Sequence, residues 1–246
     1  MKKEKVASLI DHTLLAQTAG VREIIRLCQE AKKYKFASVC VNPVYVPVCR
    51  TELEYSDVKI CTVIGFPLGA VSTQDKVQET TYAVASGADE IDMVVNLGAV
   101  MDGRFSEAEI DIAEVTEAAH FAGAKISKKI IVKVILETCY LNDTQLDICC
   151  RFAVRAGADF VKTSTGFATP QSSDGRLLPN GASVHCVQLM RKIVGPDFGV
   201  KASGGIRTAQ KAVEMLSAGA NRIGTSNAVQ IMENWDESVN VPGFDD

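Results

Sequence analysis

Phe160-Val161-Lys162-Thr163-Ser164-Thr165-Gly166 is the stretch on which the reading of this chain turns. Aromatic and β-branched residues, then hydroxyls, then a glycine make a β-strand that stops at Gly166. A lysine sits at its centre, where strands of a folded core are normally dry, and burying an ammonium is costly. The cost is accounted for if the amine does chemistry.

Three further stretches carry the same anomaly. Ile91-Asp92-Met93, Val132-Lys133-Val134 and Val200-Lys201-Ala202 each hold one charge between apolar neighbours. Side chains alternate between the faces of a strand, so Glu90, Asp92, Val94 and Asn96 share one face and Ile91, Met93 and Val95 the other. The apolar face has to meet covering helices, which turns Asp92 inward. The same parity turns Lys133, Ile135 and Glu137 inward, and likewise Lys162 with Ser164 and Lys201 with Ser203.

Around these four strands the chain alternates throughout. Strand-like runs fall at 10–15, 36–41, 58–64, 90–95, 130–136, 160–164, 199–202 and 222–224. Helical periodicity falls at 21–35, 44–53, 73–86, 106–122, 144–156, 183–194, 208–217 and 228–235. Such alternation calls for a parallel sheet covered by helices. Gly-Ala recurs just before strands at 87–88, 123–124, 157–158 and 219–220, a weak repeat in which glycine takes the left-handed position that ends a helix. The expected fold is α/β, a (β/α)8 TIM barrel, with residues 1–246 forming one domain.

Composition narrows the function. A formal charge of −4 and a pI near 5.5 argue against nucleic acid or an anionic membrane as the main partner, since both need clustered basic surface. The cysteines at 28, 40, 49, 61, 139, 149, 150 and 186 form no C-x-x-C pair and no metal-ligand spacing, so they read as reduced thiols of a cytoplasmic protein, mostly in its core. His120 and His185 fall on helices, no histidine pair has metal-ligand spacing, and no metal is expected. Residues 1–5 are charged with no apolar segment behind them, and the longest uncharged run, 36–49, holds Pro43 and Pro47 and is too short to span a membrane.

One acid and three lysines are thus expected in one enclosed space. Amines on neighbouring strands lie ~5–6 Å apart and repel by about 3 kcal/mol at an effective dielectric of about 20. Repulsion alone depresses one amine's pKa by about 2 from about 10.4 and burial pushes the same way, which gives a usable nucleophile near neutral pH. A free amine beside a carboxylate suits Schiff-base chemistry, with the iminium as electron sink for breaking a C–C bond. Spacing does not choose the nucleophile; Lys162 and Lys201 are preferred because each leads into a hydroxyl- and glycine-rich turn.

Those turns, Thr163-Ser164-Thr165-Gly166, Ser203-Gly204-Gly205-Ile206-Arg207-Thr208 and Gly224-Thr225-Ser226-Asn227, fall at the C-terminal mouth, where barrels hold their active sites and often phosphate. The last two precede helix starts, whose N–H groups attract anions. A small phosphorylated carbonyl compound is the expected substrate. Asp11 and His12, at the mouth of the first strand, are either pocket residues or a strand-end turn.

With Asp11-His12-Thr13-Leu14-Leu15, Gly87-Ala88-Asp89-Glu90-Ile91-Asp92, Val132-Lys133-Val134-Ile135-Leu136-Glu137-Thr138, Val161-Lys162-Thr163-Ser164-Thr165-Gly166-Phe167 and Lys201-Ala202-Ser203-Gly204-Gly205-Ile206-Arg207-Thr208 assembled, residues 8–227 closely resemble the deoxyribose-phosphate aldolase family. The resemblance implies a class I aldolase that reversibly splits 2-deoxy-D-ribose 5-phosphate into acetaldehyde and D-glyceraldehyde 3-phosphate, without metal or organic cofactor, as a homodimer or larger assembly. It implies Lys162 as the Schiff-base lysine, Lys201 as the lysine that perturbs it and Asp92 as the acid that relays protons through water. Thr165 resembles a contact to the sugar hydroxyl, and Gly166, Gly204, Gly205, Gly224 and Ser226 the phosphate cradle. Lys133 and Asp11 are grouped with the substrate-binding residues.

The sequence departs from the family twice. Residues 170–179 lengthen the mouth loop after Phe167, where the family turns quickly into a helix. Many members close on a tyrosine that assists enamine protonation, whereas this sequence closes on Phe244-Asp245-Asp246, which leaves that step to water. Two alternatives stand beside this reading: a related barrel aldolase with a different phosphorylated substrate, and a non-catalytic barrel that binds sugar phosphates.

Overall fold

The structure, a computed structural model, describes residues 1–244; Asp245 and Asp246, the acidic end of the tail, lie outside the described residues. Eight parallel strands close into one barrel in sequence order. They are β1 (Ile10–Leu14), β2 (Ser38–Val41), β3 (Lys59–Ile64), β4 (Glu90–Val94), β5 (Ile131–Ile135), β6 (Phe160–Lys162), β7 (Gly199–Ser203) and β8 (Arg222–Thr225). The helices are α1 (Lys3–Ala7), α2 (Val21–Tyr34), α3 (Val46–Glu52), α4 (Thr73–Ser86), α5 (Leu97–Met101), α6 (Phe105–Lys125), α7 (Asp143–Arg155), α8 (Val184–Val194), α9 (Ala209–Ser217) and α10 (Ala228–Glu233). Among the described residues no helix is long and apolar enough to cross a membrane.

Strand parity divides the interior. Ile91, Met93, Val132, Val134, Val161, Val200, Ala202 and Ile223 point outward into the large apolar core beneath the helices. Inside the barrel, Leu15, Cys40, Cys61 and Val63 form a separate small apolar cluster on the β1–β3 side, capped by Phe66. The charged residues occupy the remaining interior, so the barrel lumen is half dry wall and half ion cluster.

Three differences from the sequence reading have a clear physical reason. The strand expected over 160–164 ends at Lys162 because the Thr163 hydroxyl replaces the backbone ladder: Thr163 Oγ1 donates to Ser203 O at 3.0 Å and accepts from Ser203 N at 3.0 Å. Gly123 does not end a helix, since α6 continues to Lys125; it is small because a Cβ there would come within 2.5 Å of Lys128 O and 2.6 Å of Ile130. Gly87, Gly157 and Gly219 do take positive φ. The long loop after Phe167 is a small hairpin, with Gln171 bridged antiparallel to Leu177, Ser172 N bonded to Arg176 O at 2.9 Å and Leu178 N to Pro170 O at 2.8 Å.

Candidate active site

Register sets the depth of each charge. Asp92 on β4 lies opposite Lys133 on β5, and Lys162 on β6 opposite Lys201 on β7. Asp92 is fully buried and receives four donors. Lys162 Nζ and Lys201 Nζ donate to its Oδ2 at 2.7 and 2.8 Å, while Lys133 Nζ and the Cys61 thiol donate to Oδ1 at 2.9 and 3.2 Å. Burial alone would push this carboxyl up, but the three ammonium groups outweigh it and hold Asp92 well below the usual carboxylate range. Burial pushes the Cys61 thiol well up, which keeps it a neutral donor.

Two further carboxylates complete the cluster. Lys201 also donates to Asp11, and Asp11 accepts from Ser38 Oγ at 2.7 Å and lies 3.4 Å from Arg222 Nη1. Lys133 also donates to Glu90, which accepts from Arg222 Nη2 at 2.7 Å. Burial works against the ammonium forms of Lys133 and Lys201, yet their carboxylate partners prevail and raise both. The mutual repulsion expected from strand spacing therefore does not free either amine, because each has carboxylates of its own.

The interior is thus richer than one acid and three lysines: Lys133, Lys162, Lys201 and Arg222 face Asp11, Glu90 and Asp92. Nothing in the local pattern around Arg222 announces it, since it opens a strand between Asn221 and Ile223. Lys133 and Asp11, expected among the substrate-binding residues, are fully buried and absent from the walls of the mouth cavity. Asp11 misses the mouth because it is the second residue of β1, at the base of the strand.

Above this cluster opens a cavity of about 470 Å³. Of the three lysines, only Lys162 lines it, together with Thr165, Gly166, Gly204, Gly205, Gly224 and Ser226. The geometry thus brings these predicted residues to one wall. Gly204 has φ 85°, and a Cβ there would stand 2.8 Å from Gly181 Cα, so this turn and the returning hairpin stem pack backbone to backbone; Ala182 N donates to Gly204 O at 3.0 Å. Gly224 serves a second purpose, since a Cβ on it would meet Lys201 Cε at 2.9 Å. Arg207 also lines the cavity, and among the described residues no carboxylate lies within ion-pair distance of it. On the other side, Phe167 meets Phe66 edge to face with ring centroids 5.3 Å apart.

Two buried groups, Cys40–Cys61–Asp92 and Asp11–Cys61–Glu90, bring donor atoms within 4.8 Å of one another. Each carboxylate in them is already bonded to a lysine or arginine. The arrangement offers one cavity-facing amine over a network of fixed charges, with hydroxyls and glycine turns beside it.

Residues 5–230 match the model of the DeoC/LacD family aldolases. The deoxyribose-phosphate aldolase of Carboxydothermus hydrogenoformans is 51% identical over 229 residues, covering 93% of this chain and 94% of its own. That of Aciduliprofundum boonei is 52% identical over 233 residues, covering 95% and 98%. Among solved structures, a tetrameric deoxyribose phosphate aldolase from Aeropyrum pernix superposes with a TM-score of 0.83 at 35% identity, covering 94% of this chain and 91% of that one. The chain belongs to the DeoC/LacD family and is an aldolase.

Proposed function

We propose that the chain reversibly cleaves 2-deoxy-D-ribose 5-phosphate to acetaldehyde and D-glyceraldehyde 3-phosphate through a Schiff base on Lys162. One observation carries this reading: Lys162 alone among the interior lysines reaches the cavity while sharing Asp92 Oδ2 with Lys201. The names of the curated relatives support the substrate.

Lys162 Nζ attacks C1 of the open-chain sugar, and loss of water gives the iminium. The C2–C3 bond then breaks as the C3 hydroxyl loses its proton, and the electron pair passes into the enamine. Protonation of the enamine and hydrolysis release acetaldehyde. A water held by Asp92 and Lys201 takes the C3 proton. Asp92 starts with a donor on each of its lone pairs, so it accepts that water only as Nζ turns toward the substrate. The phosphate lies against Gly166, Gly204, Gly205, Gly224 and Ser226, with Arg207 as its cation.

Assembly into homo-oligomers belongs to the same reading and is supported by the tetrameric neighbour. A reducing, cytoplasmic setting is supported by eight cysteines that are all free.

Borohydride added with acetaldehyde should fix a two-carbon adduct on Lys162, located by peptide mapping. An adduct on another lysine, or none, would end the Schiff-base assignment. Arg207→Gln should raise KM for the phosphorylated sugar by about tenfold with kcat little changed, and the difference should shrink as salt rises. An equal rise for unphosphorylated 2-deoxyribose would remove Arg207 from the phosphate site.

A further inference from the structure

We propose that Glu137 is a positioning residue that makes the Thr165 hydroxyl an acceptor-only group, so that the site selects an aldehyde acceptor carrying a hydroxyl next to its phosphorylated carbon. This rests on the aldolase reading above and adds a source of its substrate selectivity.

Glu137 follows β5 at the mouth and is 2% exposed. Its backbone is left-handed, φ 53° and ψ 60°, a conformation that costs a residue other than glycine about 1–2 kcal/mol. What holds it there is visible in its side chain. Both carboxylate oxygens accept from Thr165 N at 3.2 Å, and Oε2 also accepts from the Thr165 hydroxyl. Such strain, fixed by surrounding bonds, concentrates at functional sites. Burial raises the Glu137 pKa and the Thr165 bonds oppose it.

A threonine hydroxyl has one hydrogen and two lone pairs. The hydrogen of Thr165 goes to Glu137, and one lone pair accepts from Phe167 N at 3.0 Å. One lone pair remains, on a residue that lines the cavity between Lys162 and Gly166. It can be satisfied only by a donor. With C1 of the substrate on Lys162 and the phosphate on the glycine turns, the C3 and C4 hydroxyls fall between them; the C3 hydroxyl gives its proton to the water on Asp92 and Lys201, which leaves Thr165 the C4 hydroxyl, the C2 hydroxyl of glyceraldehyde 3-phosphate. An acceptor aldehyde without that hydroxyl leaves the lone pair unmet, and sites built to bond a substrate hydroxyl discriminate strongly against analogues lacking it.

The test is aldol addition of acetaldehyde to D-glyceraldehyde 3-phosphate and to 3-oxopropyl phosphate, which lacks the hydroxyl. The wild-type ratio of kcat/KM should favour the first by on the order of 10² or more. In Glu137→Gln the amide offers hydrogens where the carboxylate offered none, so it can occupy the Thr165 lone pair and release the hydroxyl hydrogen toward the cavity. The ratio should then fall at least about tenfold, with the loss on the hydroxylated acceptor. Thr165→Val should lower the ratio as well, and adding Glu137→Gln to it should change the ratio no further. Where the glutamine variant is unstable, Glu137→Asp keeps the charge but shortens its reach and should shift the ratio the same way. An unchanged ratio, equal loss on both acceptors, or additive effects in the double variant overturns the proposal. Wild-type inactivity toward both acceptors would remove the aldolase reading and this inference with it; wild-type turnover with an unshifted ratio removes the inference alone.

Discussion

Replacing Lys162 with methionine is expected to lower kcat by on the order of 10⁵-fold while leaving the thermal midpoint within about 3 °C of the parent value or above it. The first half follows from removing the nucleophile. The second half follows from the charge cluster. Four cations face three carboxylates, and Lys162 is the one whose only carboxylate partner, Asp92, is already held by Lys133 and Lys201. Without Lys162, the three remaining cations, Lys133, Lys201 and Arg222, balance the three carboxylates. Methionine keeps the volume and the unbranched stem, so the substitution leaves neither a cavity nor an unpaired charge.

Lys201→Met makes the contrast. Lys201 bridges Asp11 and Asp92, and its loss leaves fully buried carboxylates short of a partner, which costs about 3–5 kcal/mol. Thermal denaturation of the two variants side by side checks the distinction. If Lys162→Met is destabilised as much as Lys201→Met, Lys162 is a structural member of the cluster; if it keeps activity, the nucleophile is elsewhere.

The catalytic candidates were legible in the sequence because strand parity is a local rule. Asp92 and Lys201 each sit between apolar neighbours that must face the helices, and Lys162 lies on the face opposite Val161, so their direction needed no knowledge of distant residues. Partners on other strands were not legible. Arg222 with Glu90, Ser38 with Asp11, Cys61 with Asp92 and Glu137 with Thr165 meet through strand register and closure, between 27 and 132 residues apart along the chain. Parity placed Glu90 and Glu137 on the inward face but could not say what each would meet. The segment after Phe167 shows in the sequence only as extra length against the family's short turn, whereas the single bridge of its hairpin depends on pairing that local pattern does not encode. Register also buries Lys133, since β5 sets it two residues deeper than the level at which Lys162 meets the cavity.

Asp92→Asn should strike fold and chemistry together. Asp92 takes two ammonium groups on Oδ2, and a third with a thiol on Oδ1. An asparagine offers one acceptor oxygen, and its NH₂ group must face donors on whichever side it lies. Turned one way the amide deprives Lys162 of its only carboxylate, turned the other it leaves Lys133 to Glu90, and either way the buried cluster loses a negative charge, at a cost of about 3–5 kcal/mol at pH 7. The acid that holds the relaying water is gone as well, which lowers kcat by about 10²–10⁴-fold. The sign of the pH dependence follows from the carboxyl itself. Its folded-state pKa lies well below the unfolded value of about 3.9, so its contribution is fully present above that value and is lost as pH falls below it. The stability gap between parent and variant should therefore be constant from about pH 5 to 8 and narrow below pH 3.9 by up to about 1.4 kcal/mol per pH unit. Denaturant unfolding at pH 7, 5 and 3 measures it. A gap that stays fixed down to pH 3, or widens there, would mean that Asp92 enters the folded state protonated and that the ion cluster is held by Asp11 and Glu90 alone.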